Sequence, residues 1–365
     1  MKNTIICLFL MLATLACKPK ETASKEQLPD ANGFGYLHLV GKLGDAPLHM
    51  NLIQDQDYDG KPWYNGSYTI DETQEPISIY TVSDTTGQDL LILDEMGTPD
   101  DKVGEFKGKL ADGSFTGTFT SKEGKEMPFV LDFIYPEGSL KFTTVRVEVS
   151  KKADDKLKDS PKATFRYEFV KPKQDWLRFA LLSEVVGDSL AKVYKTIETA
   201  YIQEQKPFFE SYMEEASAQM GEDSDFNPTF LNYESEKSMD VLFNQDNLLS
   251  IAVVDYSYSG GAHGNYGSSC ASFDLTKQKK ITLEDLFKPG YEKTLTNAFN
   301  AAAKKKYGVK KLDEVLFVDK IEPNGNFFVT SKGICFNYVP YEIASYAQGE
   351  QRIYVPFAEL KGVLK

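Results

Sequence analysis

Asp255-Tyr-Ser-Tyr-Ser-Gly-Gly-Ala-His-Gly264 separates two strand-like runs, Leu248 to Ser257 and Ser268 to Leu275. Gly260, Gly261 and Gly264 allow backbone angles closed to other residues, so the stretch reads as a tight turn. Upstream, Thr229 to Ser235 and Met239 to Phe243 read as strands. Before them, from Trp176 to Ala218, apolar residues recur at three and four: Leu177, Ala180, Leu181, Val185, Leu190, Val193, Ile197 and Tyr201. That spacing predicts one or two helices, with breaks at Gly187-Asp188 and at Pro207. Two alternating segments, Phe142 to Val149 and Ala163 to Val170, come first and flank the charged loop Lys151 to Lys158. Downstream, Thr282 caps a short helical turn with Asp285 at its third position. Tyr291 to Tyr307 is an amphipathic helix with Lys304, Lys305 and Lys306 at its negative dipole end, and Gly308 ends it. Strands follow at Asn326 to Thr330, Gly333 to Tyr338 and Gln351 to Pro356, then a short helix over Phe357 to Leu364. Residues 141–365 therefore read as an α+β domain.

Residues 33–140 differ. Eight short segments of strand character run from Tyr36 to Phe133, with turn pairs Gly44-Asp45, Asp59-Gly60, Thr86-Gly87, Asp112-Gly113 and Glu123-Gly124 between them. Their regular spacing predicts an all-β meander closed as a barrel or sandwich. Gly104, Gly108 and Gly117, inside strands, suggest bulges or tight curvature. The fold class is mixed: a β domain followed by an α+β domain.

The chain begins with Lys2 and an apolar run from Ile5 to Ala16, too short to span a bilayer. It ends Thr14-Leu-Ala-Cys17 and resembles a bacterial lipoprotein signal, which makes Cys17 the expected lipidation site. Residues 1–16 are then the signal peptide, and residues 17–32, polar with two prolines, a flexible stalk. The expected location is the cell envelope, held to the membrane by acyl chains alone. Export would permit a disulfide between Cys270 and Cys335; the alternative is two buried free thiols.

Of 365 residues, 41% are hydrophobic and 26% charged, as in ordinary globular chains, which argues against wholesale disorder. The net charge of −13 disfavours nucleic acid and basic-patch docking on anionic lipid.

The glycine turn, together with Phe273-Asp-Leu, Lys280-Ile-Thr-Leu-Glu-Asp-Leu-Phe287, Ile334-Cys-Phe-Asn-Tyr-Val-Pro-Tyr-Glu-Ile-Ala-Ser-Tyr-Ala-Gln-Gly349 and Ile353-Tyr-Val-Pro-Phe, resembles the RsiV-type extracytoplasmic domain of unknown function. Such a domain occurs in a lysozyme-sensing anti-sigma factor and beside the catalytic domain of a peptidoglycan deacetylase (PdaC-like). The resemblance spans about residues 141–365. It implies an α+β fold in two packed halves and a binding role outside the membrane. This chain shows neither a His-rich metal triad nor a sigma-binding segment, so neither activity transfers whole.

Candidate chemistry centres on His263. Glycine amides could form an oxyanion hole and Ser257 or Ser259 a nucleophile. No Gly-x-Ser-x-Gly elbow and no orienting carboxylate accompany them, so a turn pinned by the imidazole is the simpler reading. Gly260, Gly261, His263 and Gly264 form one candidate binding segment, and Tyr338, Tyr341 and Tyr346 another, since tyrosine joins contact area to a polar tip. Asp55-Gln-Asp-Tyr-Asp-Gly60 matches the start of a calcium loop but has Gly66 where a glutamate is needed, so a hairpin turn is favoured. Trp63 falls on the opposite strand face from Tyr64 and Tyr68. His38 and His49 lack an evident third ligand. No metal or cofactor is expected. The expected function is a non-catalytic envelope lipoprotein binding a protein or wall ligand, a basic protein such as lysozyme or a peptidoglycan component. The alternative is an envelope glycan-modifying enzyme or an accessory subunit of one.

Overall fold

The computed structural model describes residues 24–30, 33–57, 59–83, 90–96, 102–220 and 228–365. Cys17, the signal residues and part of the stalk lie outside these. Residues 24–30 of the expected flexible stalk run along the first domain. The Glu26 amide donates to the Phe133 carbonyl at 2.7 Å, and Lys25 pairs with Asp132.

Eight antiparallel strands, β1 (Gly35–Leu43), β2 (Ala46–Gln56), β3 (Pro62–Ile70), β4 (Ile77–Val82), β5 (Leu91–Glu95), β6 (Glu105–Ala111), β7 (Ser114–Thr120) and β8 (Glu126–Phe133), form a meander. Pairing of β1 with β8 closes it as a barrel. Closure leaves no unpaired edge to aggregate. Alternate residues fill the interior, where Phe106 lies 4.6 Å from Phe119 and 5.2 Å from Phe129 by ring centroids. The strand glycines serve close approach rather than bulges. Gly108 and Gly117 face each other in unbroken register, and a Cβ on Gly117 would lie 2.1 Å from the Lys107 carbonyl oxygen.

The second region opens with β9 (Thr143–Lys152) and β10 (Lys162–Lys171). Helices α1 (Asp175–Val186), α2 (Asp188–Tyr194) and α3 (Ile197–Met220) then lead to β11 (Glu234–Gln245), β12 (Leu248–Tyr258), β13 (Asn265–Asp274) and the short β14 (Lys279–Lys280). These strands make one six-stranded sheet, β14-β13-β12-β11-β10-β9, parallel only where the helical crossover joins β10 to β11. Gly187 breaks the helices as expected, but Pro207 does not. The second break is at Lys195, in the left-handed conformation. Pro207 sits on the solvent side of α3, where the carbonyl it strands can be hydrated, while Tyr201, Phe209 and Tyr212 bury the other face. The two strands expected between Thr229 and Phe243 are a 3₁₀ turn at Pro228–Leu231 followed by the single strand β11, bulged between Val241 and Phe243.

After α4 (Leu283–Leu286) and α5 (Glu292–Tyr307), strands β15 (Phe327–Val329), β16 (Gly333–Tyr338) and β17 (Gln351–Pro356) form a three-stranded sheet. Past β17 only a 3₁₀ turn at Phe357–Glu359 forms where a longer helix was expected. One core lies between the large sheet and α1–α3, around Phe165, Tyr167, Leu177 and Tyr212; another lies between the small sheet and α5, around Phe299, Phe336 and Ile353. Leu242, Ala252, Cys270, Phe328, Cys335 and Tyr354 join the two halves. Cys270 and Cys335 are free, buried thiols inside this joint, on strands of different sheets. Burial pushes both up to about 12.

The barrel rests on both sheets. Tyr36 donates to Asn51 at 2.7 Å and accepts from Asn244 on β11 at 3.0 Å; Tyr354 donates to the Thr73 carbonyl at 2.9 Å. Among the described residues no helix is long and apolar enough to cross a membrane.

Candidate functional site

Between β12 and β13 the chain turns through Gly260 (φ 89°) and Gly261 (φ 96°), angles that L side chains resist. Gly264 closes the turn under Tyr256, whose ring would lie 2.5 Å from an added Cβ. The His263 ring lies stacked on Tyr346 with centroids 4.1 Å apart. Its Nδ1 is 2.8 Å from the Gly264 carbonyl oxygen, which also accepts from the Tyr346 hydroxyl at 2.7 Å. One carbonyl thus ties the glycine turn to the chain between β16 and β17. Nδ1 is the protonated ring nitrogen, since a carbonyl can only accept. Neither Ser257 nor Ser259 bonds the ring among the described residues, so no nucleophile–base pair is assembled.

Tyr346 starts a 3₁₀ turn capped by Ser345, whose hydroxyl donates to Gln348 at 2.9 Å. Tyr266 meets Tyr346 edge-on at 5.6 Å, and Tyr341 lies 5.8 Å away at a tilt. Tyr341 is 58% exposed and held at φ 71°, a conformation uncommon outside glycine. Its loop is fixed by bonds from its own amide to the Ala344 carbonyl and from the Val339 amide to Glu342. The result is a rigid, outward-facing aromatic corner built from His263, Tyr341 and Tyr346.

The other expected site residues divide. Gly260 and Gly261 face away, beside a hollow of about 280 Å³ that includes Glu215 and Tyr233. Tyr338 is buried in the core around α5, its hydroxyl donating to the Glu322 carbonyl, and contributes no surface. Glu350 was missed by sequence reading. Its carboxylate accepts from the Ser268 hydroxyl at 2.6 Å and from the Ser268 amide at 2.5 Å, stapling β13 to the start of β17 below the corner. The only local hint was its place after Gly349, which has positive φ.

The remaining motifs are accounted for structurally. Asp57 accepts from the amides of Asp59 at 2.9 Å and Lys61 at 2.8 Å, as a hairpin turn requires, and Asp55 pairs with Arg146. Tyr58 lies outside the described residues. Tyr64 and Tyr68 fill the barrel while Trp63 stands on its outer face. His38 and His49 approach to 5.6 Å between rings, and His49 Nε2 lies 3.6 Å from Asp71. No group of three or more His, Cys, Asp or Glu could hold a metal among the described residues. Burial, then the neighbouring His49, brings His38 down to about 3, so it stays neutral.

Residues 284–358 match the family described as "Protein of unknown function (DUF3298)", and residues 181–266 the family described as "Deacetylase PdaC". A DUF3298 family member from Bacteroides fragilis NCTC 9343 is similar in structure, at 21% identity and a TM-score of 0.52, over 62% of this chain and 95% of that one. A DUF3298 family protein from Pseudomonas aeruginosa PAO1 has 16% identity and a TM-score of 0.46, over 62% of this chain and 96% of that one. No curated protein matches the chain. The second half of the chain is thus similar, in two matched segments, to RsiV/PdaC-like domains of unknown function. The aromatic corner sits where the matched segments meet: His263 belongs to one, Tyr341 and Tyr346 to the other.

Proposed function

We propose that this chain is a lipid-anchored protein of the cell envelope that acts by contact, binding a protein or cell-wall ligand at the corner of His263, Tyr341 and Tyr346. The observation that carries this reading is the corner itself. A tyrosine ring 58% exposed at positive φ costs conformational energy, and the fold holds it there with bonds from its own amide to the Ala344 carbonyl and from the Val339 amide to the Glu342 carboxylate. Exposed aromatics on a pre-ordered loop give contact area with little entropy left to lose. The net charge of −13 would attract a basic partner over long range and fade with salt. Lysozyme, sensed by a protein that carries a similar domain, is the first partner to try; a peptidoglycan component is the second. The segment matched to the deacetylase family holds one histidine, and that ring is bonded to a backbone carbonyl. Contact therefore accounts for this site better than glycan chemistry does.

Binding of lysozyme, and separately of soluble peptidoglycan fragments, to the purified full-length protein in detergent tests this. One of them should bind saturably, and Tyr341→Ala should weaken it by more than about tenfold, as for an interface anchor. Equal affinity in wild type, Tyr341→Ala and His263→Ala would overturn the assignment of the corner.

A further inference from the structure

The barrel and the six-stranded sheet leave a cleft of about 550 Å³ between them. Trp63, Asn65 and Tyr80 line its barrel wall, and Glu168, Glu236 and Asp240 its sheet wall. Strand alternation explains the sheet wall. β10 and β11 turn Tyr167 and Met239 into the core shared with the helices, and Glu168, Glu236 and Asp240 toward the barrel. On the barrel wall the Trp63 and Tyr80 rings lie 6.3 Å apart.

Charge on these walls does not balance. Glu168 is 5% exposed, and its buried Oε1 is approached by Arg146 Nε at 3.2 Å and Arg166 Nη1 at 3.8 Å, neither aligned as a hydrogen bond. Both guanidiniums are shared. Arg146 also faces Asp55 and Glu148, and Arg166 faces Glu148 and Glu236. Asp240 receives a long 3.4 Å bond from Asn65, and Arg352, whose charge acts on it, also pairs with Glu350. Carboxylates therefore outnumber cations around a cavity that also presents two aromatic faces. Burial keeps Glu168 protonated up to about pH 8, and a bound cation would let it ionise, which neither a neutral ligand nor an anion would do. A positively charged group meets both features, because carboxylates and ring faces each attract it.

We propose that the cleft between the barrel and the sheet binds an organic cation, a guanidinium or primary ammonium group that lies against Trp63 and Tyr80 and reaches Glu168. The site is separate from the aromatic corner and does not depend on that corner binding anything. A planar guanidinium suits it best, since it can stack on a ring while donating to a carboxylate in the same plane.

Arginine amide and its neutral isostere citrulline amide, titrated into the full-length protein, test the proposal. Trp63 fluorescence, read in a Trp176→Phe background, is the signal. Arginine amide should quench or shift it saturably, and citrulline amide should bind at least tenfold more weakly. Glu168→Gln should weaken arginine amide at least tenfold; Asp240→Asn, checked for an unchanged melting temperature, provides a second variant should the first fold poorly. An arginine-containing tetrapeptide that binds more tightly than arginine amide would mark a peptide as the source of the cation; equal affinities would mark a free small amine. Equal binding of the charged and neutral amides, or no saturation by arginine amide up to about 100 mM, would overturn the proposal. So would affinity unchanged in both well-folded variants.

Discussion

Raising the pH from 6.5 to 8 should destabilise the protein, and Glu168 should be the main reason. Burial pushes its carboxyl up to about 8; Asp55 and Glu236 add to the rise, and Arg146 and Arg166 oppose it. An unfolded glutamate titrates near 4.5. Between those values the native state holds a proton that the unfolded state has released, so stability falls as pH rises. His38 acts in the opposite sense. Its native value of about 3 lies below the ordinary 6.5, so stability falls as pH drops below 6.5, and buried His49 shifts the same way. The effects oppose each other between 4.5 and 6.5, and above 6.5 the histidine contribution fades while that of the carboxylate continues. One proton is worth about 1.4 kcal/mol per pH unit, and Glu168 has half released its proton by pH 8, so the loss is about 1.5 kcal/mol. Glu236 and Asp240, raised chiefly by burial, act in the same direction as Glu168. Guanidinium denaturation at pH 6.5, 7.25 and 8.0 measures it, with Glu168→Gln as control, because an amide of the same shape does not titrate. Wild type should lose stability across the series, and Glu168→Gln should lose most of that slope. A wild-type stability that holds constant or rises, or a variant with the full slope, would refute the reasoning.

Cys17→Ser should move the protein from the membrane fraction to the soluble fraction; continued membrane association would remove the lipid anchor from the account. Cys270 and Cys335, buried with thiols pushed up to about 12, should resist iodoacetamide at pH 8 and react once denaturant is added. Rapid labelling of the native protein would contradict the joint between the two sheets. Phe299→Ala should cost about 3–5 kcal/mol, since the ring is fully buried between α5 and the small sheet, and a melting curve will show it.

The barrel was the most legible part of the sequence. Period-two alternation and glycine turns mark each strand locally, while the choice of barrel over sandwich is made by the pairing of β1 with β8. Helix ends were legible where glycine set them, at Gly187 and Gly308, and illegible at Lys195, because a lysine in the left-handed conformation has no signature. Pro207 misled for a related reason: only tertiary packing shows that its side of α3 faces water. All three residues of the aromatic corner, His263, Tyr341 and Tyr346, stood in unusual glycine- and tyrosine-rich segments, but nothing local showed that the two segments meet. Tyr338 stood there too, yet alternation with Ile334 and Phe336 turns it into the core. The cleft had no local signal. Glu168 is one acid in an ordinary strand, and its partner across the domains, by way of Arg146, is Asp55, more than a hundred residues away.

If the aromatic corner works by contact alone, it carries out no reaction on wall material. Incubating the full-length protein with peptidoglycan fragments, and following new reducing ends, free amines and released peptides by mass spectrometry, tests it most directly. The fragments should be unchanged after long incubation. Product formed over many turnovers, and abolished by His263→Ala, would contradict it.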